Sequence, residues 1–125
     1  MARFRPHQRL RTRAQFDRVF RQGVRADGRL FLLIAAANGR PEDRLGLTVS
    51  RRVGGAVARN RVRRLLRESF RALERGSRPA ADLVVLAKTE ITGSALRELG
   101  RELRERLRRL ERSDRLGGSM SAPAR

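Results

Sequence analysis

Three patterns predict an α+β domain in this chain of 125 residues. Three segments space their apolar residues at helical intervals, and three short apolar runs bounded by Gly, Asn, Asp or Pro suit strands. They follow one another as helix, strand, strand, helix, strand, helix, so the two kinds are interleaved in one layered unit. A single domain of this length buries roughly two thirds of the surface its unfolded chain exposes.

Residues 1–11 carry Arg3, Arg5, Arg9 and Arg11 around Pro6 and His7, too polar a stretch to pack by itself, and form an expected basic N-terminal arm. Thr12 suits a helix N-cap, and Phe16, Val19 and Phe20 follow on one side at i, i+3, i+4 until Gly23 stops the helix. Leu30 to Ala37 is a continuous apolar run between Asp27-Gly28 and Asn38-Gly39-Arg40-Pro41, which suits a strand. Leu45 to Ser50 alternates, with Leu45, Leu47 and Val49 on one face, and is expected to pair antiparallel with the first strand through the polar loop. Gly54-Gly55 permits a sharp turn into an arginine-rich helix, which Gly76-Ser77-Arg78-Pro79 ends. Asp82 to Ala87 is a buried type of strand, expected to run parallel to the Leu45 strand because a helix joins them. The last helix runs from about Gly93 or Ser94 to Arg112, with Leu96, Leu99, Leu103, Leu107 and Leu110 as its apolar stripe. Glu102/Arg106 and Glu105/Arg109 pair at i, i+4, so its outer face reads as merely solvated. Residues 113–125, rich in Ser, Gly, Ala and Pro, are an expected disordered tail, leaving 12–112 as the single folded domain.

The arginine helix has two faces. Val62, Leu65, Leu66, Ser69, Phe70 and Leu73 fall at i, i+3, i+4, i+7, i+8, i+11, a mostly apolar face to pack on a sheet. On the opposite side, Asn60, Arg64, Arg67 and Arg71 lie within about 60° of one another, flanked by Arg61 and Arg63. Like charges four residues apart cost a helix roughly 0.2–0.5 kcal/mol per pair, so Arg63/Arg67 and Arg67/Arg71 call for a neutralising partner. A charge run is ordinarily a solvated face, but between Arg44 and Ser69 the one carboxylate is Glu68, and the alternating signs of a salt-bridged face are missing. A nucleic acid is the favoured partner, and the exposed amides of the helix N-terminus after Gly54-Gly55 favour phosphate.

Composition agrees. The chain has 31 basic and 13 acidic side chains, net +18, of which residues 1–76 hold +14. Such a field speeds encounter with phosphate polyanions, with anionic membrane as the rival partner. Thirty of the basic residues are Arg and one is Lys88, an excess that a GC-rich genome also produces, so position and net charge carry the argument. The absence of cysteine excludes disulfides and thiol chemistry. No apolar segment follows the basic N-terminus, the longest apolar run is too short to span a bilayer, and the cytoplasm is the expected compartment.

A protein nuclease needs clustered carboxylates, a histidine pair, or a nucleophile with its base. His7 is the only histidine, Glu42 and Asp43 fall in a loop where a solvated turn is expected, and Asp17, Glu68 and Asp82 are scattered. No catalytic residues and no metal site of the protein's own are expected, nor any small-molecule substrate.

The element order and the words that fill it resemble the protein subunit of bacterial ribonuclease P. The resemblance spans roughly Arg9 to Leu110 and rests on Arg9-Leu10, on Gln15 to Gly23, on Leu45 to Gly54, and most specifically on Ala56 to Glu68 with its Arg59-Asn60-Arg61 triplet. It implies a four-stranded sheet packed with three helices, in the order αβββαβα or αββαβα, with a left-handed crossover around the arginine helix, as in the second domain of ribosomal protein S5. It also implies a holoenzyme that removes the 5′ leader of precursor tRNA, in which an RNA subunit with bound magnesium performs the hydrolysis. Residues implied for contact with that RNA are Arg59, Asn60, Arg61, Arg63, Arg64, Arg67 and Arg71. Those implied for a leader-binding cleft are Phe16, Phe20 and Ile34, with Arg51, Arg52 and Lys88 at strand ends. Ile34 stands where the family often has tyrosine, and Phe16 and Phe20 are equally compatible with core packing. A ribosomal or general RNA-binding protein is the alternative.

Overall fold

The Thr12 hydroxyl accepts from the Gln15 amide while the Gln15 side chain accepts from the Thr12 amide, a reciprocal cap that starts the first helix. In the computed structural model, which describes residues 8–74 and 78–112, the order is α1 (Arg13–Gln22), β1 (Val24–Asp27), β2 (Phe31–Ala37), β3 (Arg44–Thr48), α2 (Ala56–Arg71), β4 (Ala81–Ala87) and α3 (Leu96–Arg112). This is the αβββαβα order. The tail at 113–125 and the arm up to His7 lie outside the described residues.

The sheet runs β1-β2-β4-β3, with β2 antiparallel to both β1 and β4 and β3 parallel to β4. The expected β2–β3 hairpin is therefore corrected: β4 lies between them. Leu83, Val84 and Val85 are all buried, so both faces of β4 need cover and the strand takes a central place, whereas β3, with Leu47 half-buried and Thr48 exposed, tolerates an edge. The fourth strand, β1, pairs with Leu32 to Ala35 immediately after Gly23.

The two sheet faces are covered differently. Phe31, Leu33, Leu45, Leu83 and Val85 pack against Val62, Leu65, Leu66 and Phe70 of α2 and Leu99, Leu103, Leu107 and Leu110 of α3. Each fully buried Leu on that face contributes about 1.5–3 kcal/mol. On the other face Val19 of α1 packs on Ile34 and Val84, with Phe16, Phe20, Leu32 and Leu86 around them half-buried.

Residues 9 and 10 are not part of a free arm. Arg9 bridges to Leu45, the Leu10 amide donates to the Leu45 carbonyl at 2.9 Å, and the Leu10 side chain is buried beside α1. One apolar side chain amid arginines suffices to pin this segment along the outer edge of β3.

A buried carboxylate locks the α1 side. Asp82 is 0% exposed and accepts from Arg44 Nε and Nη2 at 2.8 Å each, from Asn38 at 2.9 Å and from Arg18 at 3.0 Å. The bidentate Arg44 contact joins β3 to β4, and Arg18 adds α1. Asp43, expected in a solvated turn, is likewise held by both terminal nitrogens of Arg78 at 2.9–3.0 Å.

Candidate nucleic-acid interface

Gly54 has φ 154, and a Cβ there would come within 2.9 Å of the Ala58 side chain, so this corner favours glycine. Gly55 caps α2 without a side-chain hydrogen bond, and no acid stands in the first turn. The helix begins with open amides and the positive end of its dipole.

From that start the helical period distributes the seven predicted residues over three directions. Asn60 and Arg64 are exposed on the outer side, and Arg64 has neither an ion pair nor a hydrogen bond among the described residues. Arg63 and Arg67 lean toward the β3 edge, with Arg63 donating to Asn60 Oδ1 at 3.1 Å. Arg71 lies 3.7 Å from Glu68 and is partly neutralised. Two of the seven are held by carbonyls of the fold. Arg59 turns back to donate to the Gly54 carbonyl at 3.2 Å, and Arg61 points toward α3 to donate to the Ser94 carbonyl at 2.9 Å. Both are half-buried, because an arginine beside the apolar face can reach a free carbonyl while its stem covers apolar surface.

Arg63 and Arg67 meet Arg9 around a cavity of about 130 Å³ whose floor is Leu10, Phe16, Leu45 and Leu47. Burial, and then the charges of Arg9 and Arg63, lower the Arg67 pKa from its ordinary value, so three guanidiniums repel one another at this edge. An anion placed among them relieves that repulsion. The sequence pattern missed Arg9 as a member of this cluster, although Arg9-Leu10 is one of the words carrying the family resemblance.

On the α1 side, the Phe16 and Phe20 rings are 6.5 Å apart and tilted by 36°. Phe16 lies over Gly46, where a Cβ would come within 2.6 Å of its ring. Both rings are half-buried and pack, with Leu32 and Leu86, against the α1-side core. Ile34 is corrected: it is 0% exposed beneath α1 and offers packing, not a contact surface. Arg51 and Arg52 stand exposed in the turn after β3. Lys88 is half-buried and held by the Asp27 carboxylate at 2.7 Å and the Gly28 carbonyl at 2.6 Å, so its charge is partly spent within the fold.

Comparison with known proteins agrees with this geometry. The family model described as Ribonuclease P matches residues 4–111. The Ribonuclease P protein component of Shouchella clausii is 40% identical over 93 residues, 74% of this chain and 76% of that protein. The Coxiella burnetii protein of the same name is 37% identical over 113 residues, 90% of this chain and 93% of its own length. The solved RNase P protein of Staphylococcus aureus superposes with a TM-score of 0.73 at 27% identity, covering 83% of this chain and 95% of that one. With a match that begins before α1 and ends within α3, this chain belongs to the ribonuclease P protein family.

Proposed function

We propose that this chain is the protein component of ribonuclease P, binding the catalytic RNA subunit through α2 and the 5′ leader of precursor tRNA along the α1 side of the sheet. The observation that carries the first contact is the outer side of α2, where Arg64 stands without a counter-charge next to Asn60 and the Arg9–Arg63–Arg67 cluster. Phosphates of a folded RNA neutralise that side, and those contacts weaken steeply with salt.

Phe16 and Phe20 support the second contact. Single-stranded RNA stacks its unpaired bases on aromatic rings and lays its backbone along basic side chains. The exposed parts of these half-buried rings, with exposed Arg51 and Arg52 beyond β3, supply both elements. With Ile34 buried, leader contact rests on the phenylalanines and the apolar surface of Leu32 and Leu86.

The magnesium that phosphodiester hydrolysis requires is bound, in this proposal, mainly by the RNA subunit. Among the described residues no group of three or more His, Cys, Asp or Glu stands together. The carboxylates of Asp82 and Asp43 are already occupied by arginines, so the donor set among the described residues does not fit a metal centre. The protein positions RNA and lowers its electrostatic self-repulsion, and the RNA performs the hydrolysis. No helix among the described residues is long and apolar enough to cross a membrane, and we place this work in the cytoplasm, where precursor tRNA is made.

Reconstitution tests the proposal. The protein, added to the ribonuclease P RNA of its own organism, is expected to promote precursor-tRNA cleavage at magnesium concentrations too low for the RNA alone. An unchanged cleavage rate would contradict it.

A further inference from the structure

Equal spacing of acids and arginines predicts a self-neutralised outer face for α3, and the structure departs from that. Every carboxylate of α3 that the structure describes has a partner, and only Glu105 finds it on α3 itself. Glu102 accepts from the Leu30 and Phe31 amides at 2.7 and 3.3 Å. Glu98 accepts from the Ala95 amide at 2.9 Å and faces Arg29 at 3.7 Å. Glu111 lies 3.3 Å from Arg78, and Glu105 lies 3.7 Å from Arg106, whose guanidinium also donates to the Asp27 carbonyl at 3.0 Å.

Five arginines of α3 remain among the described residues, and four of them, Arg97, Arg101, Arg104 and Arg108, form one row with Arg109 to its side. All four are exposed, and among the described residues none has an ion pair or a hydrogen bond. They fall at i, i+4, i+7, i+11, the spacing of Asn60, Arg64, Arg67 and Arg71 on α2, and each row covers about 16 Å of helix. The two helices pack on the same face of the sheet and touch where Gly100 lies beside Ser69, with the Arg104 guanidinium over Gly100. Two basic rows therefore run along neighbouring helices, whose axes lie about 8–10 Å apart when so packed.

Resting on the RNA-binding role argued above, we propose that the α3 row is a second RNA contact surface, which grips phosphate backbone independently of base sequence. The α2 row alone satisfies one stretch of backbone. A folded RNA presents phosphates on two strands, and the second row neutralises the other. The uncompensated row has a cost in the free protein, since like charges at i, i+4 oppose one another along α3. A polyanion removes that cost. An anionic membrane fits less well, because the apolar stripe of α3, Leu99, Leu103, Leu107 and Leu110, is committed to the core and cannot enter lipid.

The test is a salt series of binding to ribonuclease P RNA, using full-length protein with Arg97, Arg101, Arg104 and Arg108 all changed to Gln, which preserves helix propensity. A matching set of four Arg→Lys changes and the single change Arg64→Ala run beside it. The Gln protein is expected to lose slope in log affinity against log salt by roughly 0.7–0.9 per broken phosphate contact, and the Lys protein to keep it. An unchanged slope in the Gln protein, with Arg64→Ala still lowering it, overturns the α3 contact and leaves the α2 contact standing. If Arg64→Ala also leaves the slope unchanged, the RNA-binding role of α2 falls as well. Equal loss in the Gln and Lys proteins overturns the backbone grip, as does a charge effect confined to phosphatidylglycerol vesicles. Should the Gln protein fail to fold by circular dichroism, Arg101→Gln alone is expected to lose about one contact's worth of slope, and no loss overturns the proposal.

Discussion

Three residues apart on α2, Arg61 donates to the Ser94 carbonyl while Arg64 meets only solvent. Alanine at the two positions is therefore expected to separate stability from binding. Arg64→Ala should change the unfolding free energy by less than about 0.5 kcal/mol and weaken RNA binding with a shallower salt dependence. Arg61→Ala should cost about 1 kcal/mol or more in urea unfolding, since a half-buried carbonyl loses a charged donor. Helical spacing places both residues off the apolar face but does not say which carbonyl an arginine can reach, so this division was not legible in the sequence. Asp82 is the same lesson over longer range, because its donors Arg18, Asn38 and Arg44 are 64, 44 and 38 residues away. Removing it by Asp82→Ala leaves the half-buried Arg44 guanidinium without its carboxylate and Arg18 with only neutral acceptors, and should destabilise by about 3 kcal/mol. Burial acts to raise the Asp82 pKa, and the hydrogen bonds from Arg44, Asn38 and Arg18 more than reverse it, holding it below the ordinary 3.8. A depressed folded-state pKa gives stability that is complete above the unfolded value and is lost as pH falls through the folded one. Wild-type urea midpoints should fall below about pH 4 more steeply than those of Asp82→Ala.

At the scale of elements, strong local periodicity was enough for α1, α2, α3 and the apolar strands. The Val62 to Phe70 face follows from it, the Thr12 cap from its residue type, and the parallel pairing of β3 with β4 from the helix that joins them. Two features depend on the rest of the sheet. β1 is four residues long with only Ala26 buried, which leaves no apolar signal to read. β4 separates β2 from β3 because its own neighbours must cover both of its edges, a demand invisible from the loop between β2 and β3. Gly23 shows how tightly the α1 side is then fitted: a Cβ there would come within 2.5 Å of the Val19 carbonyl and 2.6 Å of Ile34 Cγ2. Gly23→Ala should cost about 1–3 kcal/mol by displacing α1 from the sheet. It should also weaken binding of precursor tRNA more than of leaderless tRNA, because the Phe16 and Phe20 platform moves with the helix. Equal losses on the two substrates would separate that platform from the leader.

The whole molecule carries a net charge of +18, and its two sheet faces are built differently. One sheet face carries α2 and α3, with Arg64 and the α3 row exposed on them, and the other carries α1 with its half-buried aromatic pair. The proposed function uses this division, with a folded RNA on one side and a single strand on the other, and asks no active site of the protein. The side from which α2 meets RNA can be marked directly, because the chain has no cysteine and Arg64→Cys creates a unique attachment point. A photocrosslinker attached there, activated in extracts of the protein's own organism, should join the protein mainly to ribonuclease P RNA. Crosslinks that fall instead on ribosomal RNA would contradict the assignment of α2 to the catalytic RNA.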